Sequence, residues 1–266
     1  MSQKVQRYAS DLTDQQWATL EPLLPIQSEG QPGRPLELDL REAVNAMLYV
    51  VRTGCQWANL PADFPNYNSV YYHFRKWSLD GTWQRINQAL VWLERKRQGR
   101  CPHPSAGIMD SQSTKTTESG GERGYDGGKK VNGRKRHVLV DTLGNLLGVI
   151  VSAANIQDRE GAIALMATLN RMLCLRLQKI WADAGYTGER LLHWLWKQFQ
   201  ILLEVVKRSD DVTGFTVLPK RWIVERTLGW LNRYRRLSKD YEHCTRSSEG
   251  MIYLASIATM LKRLAP

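Results

Sequence analysis

Around QGRCPHPSAG, residues 98–107, the apolar pattern of the chain changes period. Before this stretch rich in Pro and Gly, apolar residues recur at helical spacing. After it, short apolar runs alternate with helical ones. A chain with that switch is expected to build a small all-helical segment, residues 1–100, followed by an α/β segment, residues 106–266, in which helices flank a sheet. With 266 residues, both segments are long enough to bury a core.

In the first segment, Thr13 and Gln16 of LTDQQW form a capping-box pattern, with Leu12 and Trp17 at the staple positions, so a helix is expected from Asp14. Leu40, Val44, Met47, Leu48 and Val51 mark a second helix. A third is expected near Asn68, burying Val70, Phe74 and Trp77 and turning Tyr72, Arg75 and Lys76 outward. A fourth runs from Thr82 with Trp83, Ile86, Leu90 and Leu93 inward. An outward face of Tyr, Arg and Lys fits a helix-turn-helix-like DNA reader and fits a solvated bundle face equally well.

In the second segment, AGIMD (106–110) reads as a strand ending in Asp110, and the Gly- and Ser-rich residues 111–133 as a loop. HVLVD and LLGVIVSA flank TLGN as a hairpin. DREGAIALMATLNRML reads as a helix capped by Asp158. KIWAD is a strand ending in Asp183, ERLLHWLWKQF a helix, ILLEVV a strand, and the chain closes with an amphipathic helix. Trp194 and Trp196 are two apart and cannot share one helical face, so one is expected to pack and the other to meet a partner.

Charge is unevenly spread. Residues 1–105 hold 12 Lys and Arg against 10 Asp and Glu, while residues 106–266 hold 25 against 16, within a formal net charge of +11. Such an excess suits a phosphate-backbone partner, because neutralised phosphates release counterions. Its densest cluster is Lys129, Lys130, Arg134, Lys135 and Arg136, expected to contact phosphates or to be solvated. The four cysteines show no CxxC pair, which argues for reduced thiols in a cytoplasmic protein and against a disulfide framework or zinc finger. Neither a signal peptide nor a membrane span is evident.

Asp110 and Asp183 each close a strand, and Glu225 is the lone carboxylate of RWIVERTLGWLNRYRR, residues 221–236, among five arginines. Three carboxylates drawn together suit Mg²⁺ or Mn²⁺, since unscreened they would repel. A pair of such ions, about 3.5 to 4 Å apart, supports phosphoryl transfer. On a helical wheel Arg221, Gly229, Asn232 and Arg236 fall within about 40° of Glu225. Taken alone, that helix also permits a plain Arg221 to Glu225 surface pair. Asp141 reads as a turn residue, and Glu118, Glu122 and Asp126 as solvated. The histidines show no metal-ligand spacing.

IMDSQSTKT, WADAGYTGE and RWIVERTLGWLNRYRRL, in that order, resemble the three catalytic segments of bacterial insertion-sequence DDE transposases of the group numbered four and five. LTDQQWATLEPLLP through NSVYYHFRKWSLDGTW resembles the helical domain preceding catalysis in the second of these families. The resemblance implies a ribonuclease H-like mixed sheet and a metal-binding triad of Asp110, Asp183 and Glu225 holding two Mg²⁺. It further implies hydrolysis of double-stranded DNA at the element ends, and attack of the freed 3′ hydroxyl on target DNA. Pairing two ends implies a homodimer or higher. The family's signature Tyr, Arg, Glu and Lys fall here on Leu218, Arg221, Glu225 and Asn232, with Arg233 or Arg236 as substitutes for the lysine's phosphate contact. Two other readings stay open at this level: a nuclease of the same fold without strand transfer, and a DNA-binding descendant without chemistry.

Overall fold

The structure, a computed structural model, describes residues 6–25, 38–118, 120–169, 175–206 and 220–266. Leu218 and the last residues of the helix expected over 158–173 lie outside them.

Among the described residues of the N-terminal part are four α-helices: α1 (Asp14–Leu20), α2 (Leu40–Thr53), α3 (Tyr67–Leu79) and α4 (Thr82–Arg97). The Thr13 and Gln16 capping box is formed on both sides. Asp39 caps α2 through the amides of Arg41 and Glu42, and Gly54, left-handed at φ +77°, ends it. Val70, Phe74 and Trp77 are buried, while Tyr72, Arg75 and Lys76 are exposed. Leu93 departs from expectation: it is 41% exposed, because the buried face of α4 passes through Leu90, Val91 and Glu94 instead.

Six strands follow: β1 (Ala106–Lys115), β2 (Gly124–Asp126), β3 (Val131–Asp141), β4 (Leu146–Ala153), β5 (Lys179–Ala182) and β6 (Leu202–Val205). They make one mixed sheet in the order β2-β3-β1-β5-β6, with β4 also paired to β3. β1 runs antiparallel to β3 and parallel to β5, and β5 parallel to β6. The protein is therefore α/β with a mixed sheet and an N-terminal helical region. β1 continues five residues past Asp110, so much of the expected loop at 111–133 is sheet: β3 pairs with β1 as far as Lys115, and β2 with β3. Long-range pairing overrides the local Ser and Gly content.

Among the described residues three helices accompany the sheet: α5 (Asp158–Thr168), α6 (Glu189–Phe199) and α7 (Trp222–Leu231). The last helix, α8 (Thr245–Leu264), is not a surface amphipathic helix. It is buried from Ser247 to Ala258 and packs against α2, α3 and α4 on one side and β4 on the other. β4 would be a free edge, with amides that need partners. Val149 N–H donates to Tyr253 Oη, and Val151 N–H to Glu249 Oε1, so α8 supplies them.

One apolar core therefore runs from Leu12 through the sheet to Leu261. Polar ties cross between the helical segment and the sheet. Asn87 Nδ2 donates to Leu146 O at 2.7 Å, and Arg95 Nη1 meets Asp141 Oδ2 at 2.6 Å with both side chains buried. Asp141 does shape the hairpin turn as expected, accepting from the Leu143 and Asn145 amides. Among the described residues no helix is long and apolar enough to cross a membrane.

Candidate functional site

The parallel pairing of β1 and β5 ends at Ile108 opposite Trp181. Two residues further along the chain stand Asp110, within β1, and Asp183, one residue past the end of β5, so the register carries both carboxylates to the same end of the sheet. Asp183 Oδ1 accepts from the Gly185 amide at 2.9 Å, which folds the WADAGY segment into a short 3-10 turn. Asp110 Oδ1 accepts from the Ser111 amide at 2.7 Å.

Glu225 lies in the first turn of α7, with its side chain half exposed. Arg221, just before the helix, places Nη2 at 3.7 Å from Asp183 Oδ2 and 3.6 Å from Glu225 Oε1. The expected i,i+4 pair exists, yet it reaches across to the second aspartate. The arrangement thus links all three carboxylates: Asp110 with Asp183 along the sheet, and Asp183 with Glu225 through one guanidinium.

Burial pushes the Asp110 carboxyl up to about 6; the Ser111 amide opposes the rise, the charge of Asp183 adds to it, and Arg221 and Lys129 oppose it. Tyr186 is buried, and burial together with the charges of Asp110, Asp158 and Asp183 raises its phenol well above its ordinary value. The Ser111 hydroxyl beside it opposes that rise.

The donors at Asp110, Asp183 and Glu225 are carboxylate oxygens, the kind that hard divalent cations take. Among the described residues no three Asp, Glu, His or Cys side chains converge closely enough to hold a metal ion as they stand. The positive charge between Asp183 and Glu225 is at present that of Arg221.

The basic cluster does not form one surface. Lys129 and Lys130 are exposed, and Lys129 Nζ donates to Ser111 O at 3.1 Å beside Asp110. Lys135 is buried between Asp126 Oδ2 and Asp158 Oδ1, at 3.5 and 3.2 Å. Arg134 is sealed inside, donating to Asp240, Ser248 and the carbonyls of Glu122, Glu242 and His243. Arg136 is buried as well, against Gln112 and the Lys239 carbonyl. Arg134, Lys135 and Arg136 are thus buried against the chain's own side chains and carbonyls, in contrast to the solvated run that the sequence suggests.

Arg236 also departs from expectation. α7 ends at Leu231, and the next amides bond three residues back, Arg233 N to Trp230 O and Tyr234 N to Leu231 O. The helical wheel therefore stops short of Arg236, which is buried with Nε 2.8 Å from Glu242 Oε1. Asn232 and Arg233 follow the helix end and are exposed. Trp194 packs on Phe199, while Trp196 is 55% exposed. Arg226 stacks between Trp222 and Trp230, an aromatic grip that sequence spacing alone did not reveal.

Two acids read as a cap and as a solvated loop residue belong to this neighbourhood. Gln157, and not Asp158, stands at the N-cap position of α5, and its side chain makes no capping bond. The Asp158 side chain instead accepts from Ser111 Oγ at 2.8 Å. Asp126 is buried at the end of β2; against the cost of burial, the Ser113 hydroxyl, the Lys129 amide and the charges of Lys135 and Lys129 draw it down to about 2. The available sequence signal was adjacency: Ser111 and Tyr186 flank the two motif aspartates, and Asp158 opens the helix that follows β4.

Fold and site together define an α/β protein with an acidic site where parallel strands end, edged by the exposed Lys129 and the partly buried Arg221. The transposase DDE domain family matches residues 102–261, and a putative transposase family of the IS4/5 type matches residues 12–87. The chain belongs to the DDE transposases of the IS4/5 group. It is 31% identical over 118 residues to the uncharacterized 16.2 kDa protein of insertion element IS402 from Burkholderia cepacia, covering 42% of this chain and 78% of that protein. It is also 31% identical over 116 residues to the putative transposase for insertion sequence element IS402 from the same organism, covering 41% of this chain and 54% of that protein.

Proposed function

We propose that the protein cuts the ends of an insertion element in double-stranded DNA and joins the freed 3′ ends to target DNA. The observation that carries this reading is the linkage of Asp110, Asp183 and Glu225 through sheet register and the Arg221 guanidinium. The antiparallel β1-β3-β4 unit extended by parallel β5 and β6 supports a ribonuclease H-like sheet, with the first aspartate on its central strand. Asp110, Asp183 and Glu225 would hold two Mg²⁺, with Mn²⁺ as a substitute. When bound, the ions supply an activated water or 3′ hydroxyl and stabilise charge on the leaving oxygen.

The chain's own groups orient and hold the substrate. The Ser111 amide holds one oxygen of Asp110. Arg221, which bridges two acids here, turns to a phosphate oxygen when DNA enters, and Lys129 adds positive charge beside Asp110. Lys130, Asn232 and Arg233 are exposed for flanking phosphates. On α3, Tyr72, Arg75 and Lys76 present the face of a helical DNA-binding domain over residues 1–100, ahead of the catalytic domain at 106–266. The reaction takes place in the bacterial cytoplasm, with two or more copies pairing the element ends.

The test incubates the protein and Mg²⁺ with DNA carrying its element's terminal inverted repeats. Wild type yields cut and joined products, and Asp110→Asn yields neither. Equal activity in Asp110→Asn sinks the site assignment; cutting without joining leaves a nuclease, and binding without cutting leaves a DNA-binding protein.

A further inference from the structure

The helical segment meets the chain just beyond the Glu225 helix at one joint. α7 ends at Leu231, and the short turn that follows it packs against α2. Arg52 Nη1 donates to the Arg233 carbonyl at 3.2 Å, and its guanidinium lies 5.7 Å from the centre of the Tyr234 ring. Arg236 Nη1 donates to the Cys55 carbonyl at 3.1 Å while its Nε holds Glu242. Gly54 approaches so closely that a Cβ there would lie 3.2 Å from the Arg235 carbonyl carbon.

That joint gathers positive charge. Arg52, Arg233, Arg235 and Lys239 are all exposed, and among the described residues no salt bridge neutralises any of them. The acids of the same stretch are already engaged: Asp240 is buried on Arg134, and Glu242 on Arg236. Like charges gathered in one place repel unless an anion screens them. A polyanion suits this patch better than a small anion, because the cations are exposed and come from two separate segments. From Glu225 to the helix end at Leu231 the rise is about 9 Å, or about three base-pair steps. A duplex lying at the carboxylates therefore reaches the patch within a few base pairs.

We infer that this joint is a phosphate contact for duplex DNA, in which Arg52 of α2 acts with Arg233, Arg235 and Lys239 to hold the backbone without reading its bases. The inference rests on the reading of a DNA partner above. It gives the helical segment a share in gripping DNA beside the carboxylates, separate from the α3 face. Buried Arg236 then fastens the joint from inside, through the Cys55 carbonyl and Glu242.

The test measures binding of the full-length protein to fluorescent duplexes over a salt series, without divalent ions so that nothing is cut. Two duplexes of equal length are used, one carrying the element's terminal repeat and one of unrelated sequence. Arg52→Ala, Arg235→Ala and Lys239→Ala should each lower the salt slope by about 1, and the triple variant by about 3, alike on both duplexes. Arg52→Gln keeps a donor for the Arg233 carbonyl without the charge, and decides the matter if Arg52→Ala does not fold. Replacing three exposed cations elsewhere, Arg190, Lys197 and Lys262, by alanine gives the same net charge and should lower the slope by less than about 1. Equal losses in the two triple variants reduce the patch to net charge and overturn the inference. A silent Arg52 variant also overturns it, by leaving the helical segment out, and so does an effect confined to the repeat duplex, which makes the contact a reader of bases. Wild type that binds neither duplex fails the underlying DNA reading; wild-type binding with unchanged slopes in every variant fails this inference alone.

Discussion

Arg134 Nη1 and Asp240 Oδ1 lie 3.0 Å apart, joining β3 to the segment that leads into α8, with both side chains closed to solvent. The same guanidinium also serves the Glu242 and His243 carbonyls and Ser248 Oγ. Removing one partner leaves the other charge buried without compensation. Arg134→Met should therefore cost about 3–5 kcal/mol of stability, read from urea denaturation midpoints. A loss below about 1 kcal/mol, the level of exposed pairs, would show that the pair is solvated after all.

Gly161 sits inside α5, where alanine ordinarily gains about 1 kcal/mol over glycine. Here an added methyl would drive into the His137 imidazole, held from β3 and bonded to Ser152 Oγ. Gly161→Ala is expected to destabilise by about 1–3 kcal/mol, the cost of overpacking. Thermal denaturation showing a gain instead would mean that the ring moves freely.

Burial draws the His137 imidazole down to about 4, with Asp158 opposing the shift and Lys135 and Lys129 adding to it. The unfolded chain takes up a proton near its ordinary value of about 6.5, while the folded chain resists it. Stability from this group is complete above the unfolded value and falls as pH drops toward the folded one, by at most about 1.4 kcal/mol per pH unit. Urea midpoints of wild type and His137→Leu, compared from pH 6.5 to 4.5, should diverge in slope. Parallel curves would remove His137 from the acid response.

On α3, Arg75 and Lys76 are exposed beside Tyr72. If they contact phosphates, Arg75→Ala and Lys76→Ala should each weaken binding to all duplexes alike and lower the salt slope by about 1. Fluorescence anisotropy over a salt series measures this. An unchanged slope in both variants would leave the face solvated.

Arg221 is the cation shared by Asp183 and Glu225. Arg221→Met removes it without touching a carboxylate, so cleavage of repeat-end DNA should fall about 100-fold, the scale of one lost charge-stabilising donor. Mn²⁺ binding should persist. A variant as active as wild type would return the Arg221 and Glu225 contact to a surface pair.

Much of the architecture was legible along the chain because its causes are local. The capping box at Thr13, the helical spacing of Val70, Phe74 and Trp77, and the turn at TLGN each depend on residues within a few positions. The order of Asp110, Asp183 and Glu225 on successive elements was legible for the same reason. The length of β1 was not, because Ser111 to Lys115 are held as strand by pairing with β3.

The fate of each charge was decided only in three dimensions. Arg134, Arg136 and Arg236 read as free cations in sequence, yet in the fold they are buried, Arg134 on Asp240 and Arg236 on Glu242. Asp158 read as a cap, yet it reaches Ser111 on the neighbouring strand. Periodicity and capping set which elements form, whereas burial and ion pairing depend on which distant side chains arrive beside a charge. The sequence determined the elements and the order of their carboxylates; tertiary packing decided which charges were buried and paired and which stayed exposed.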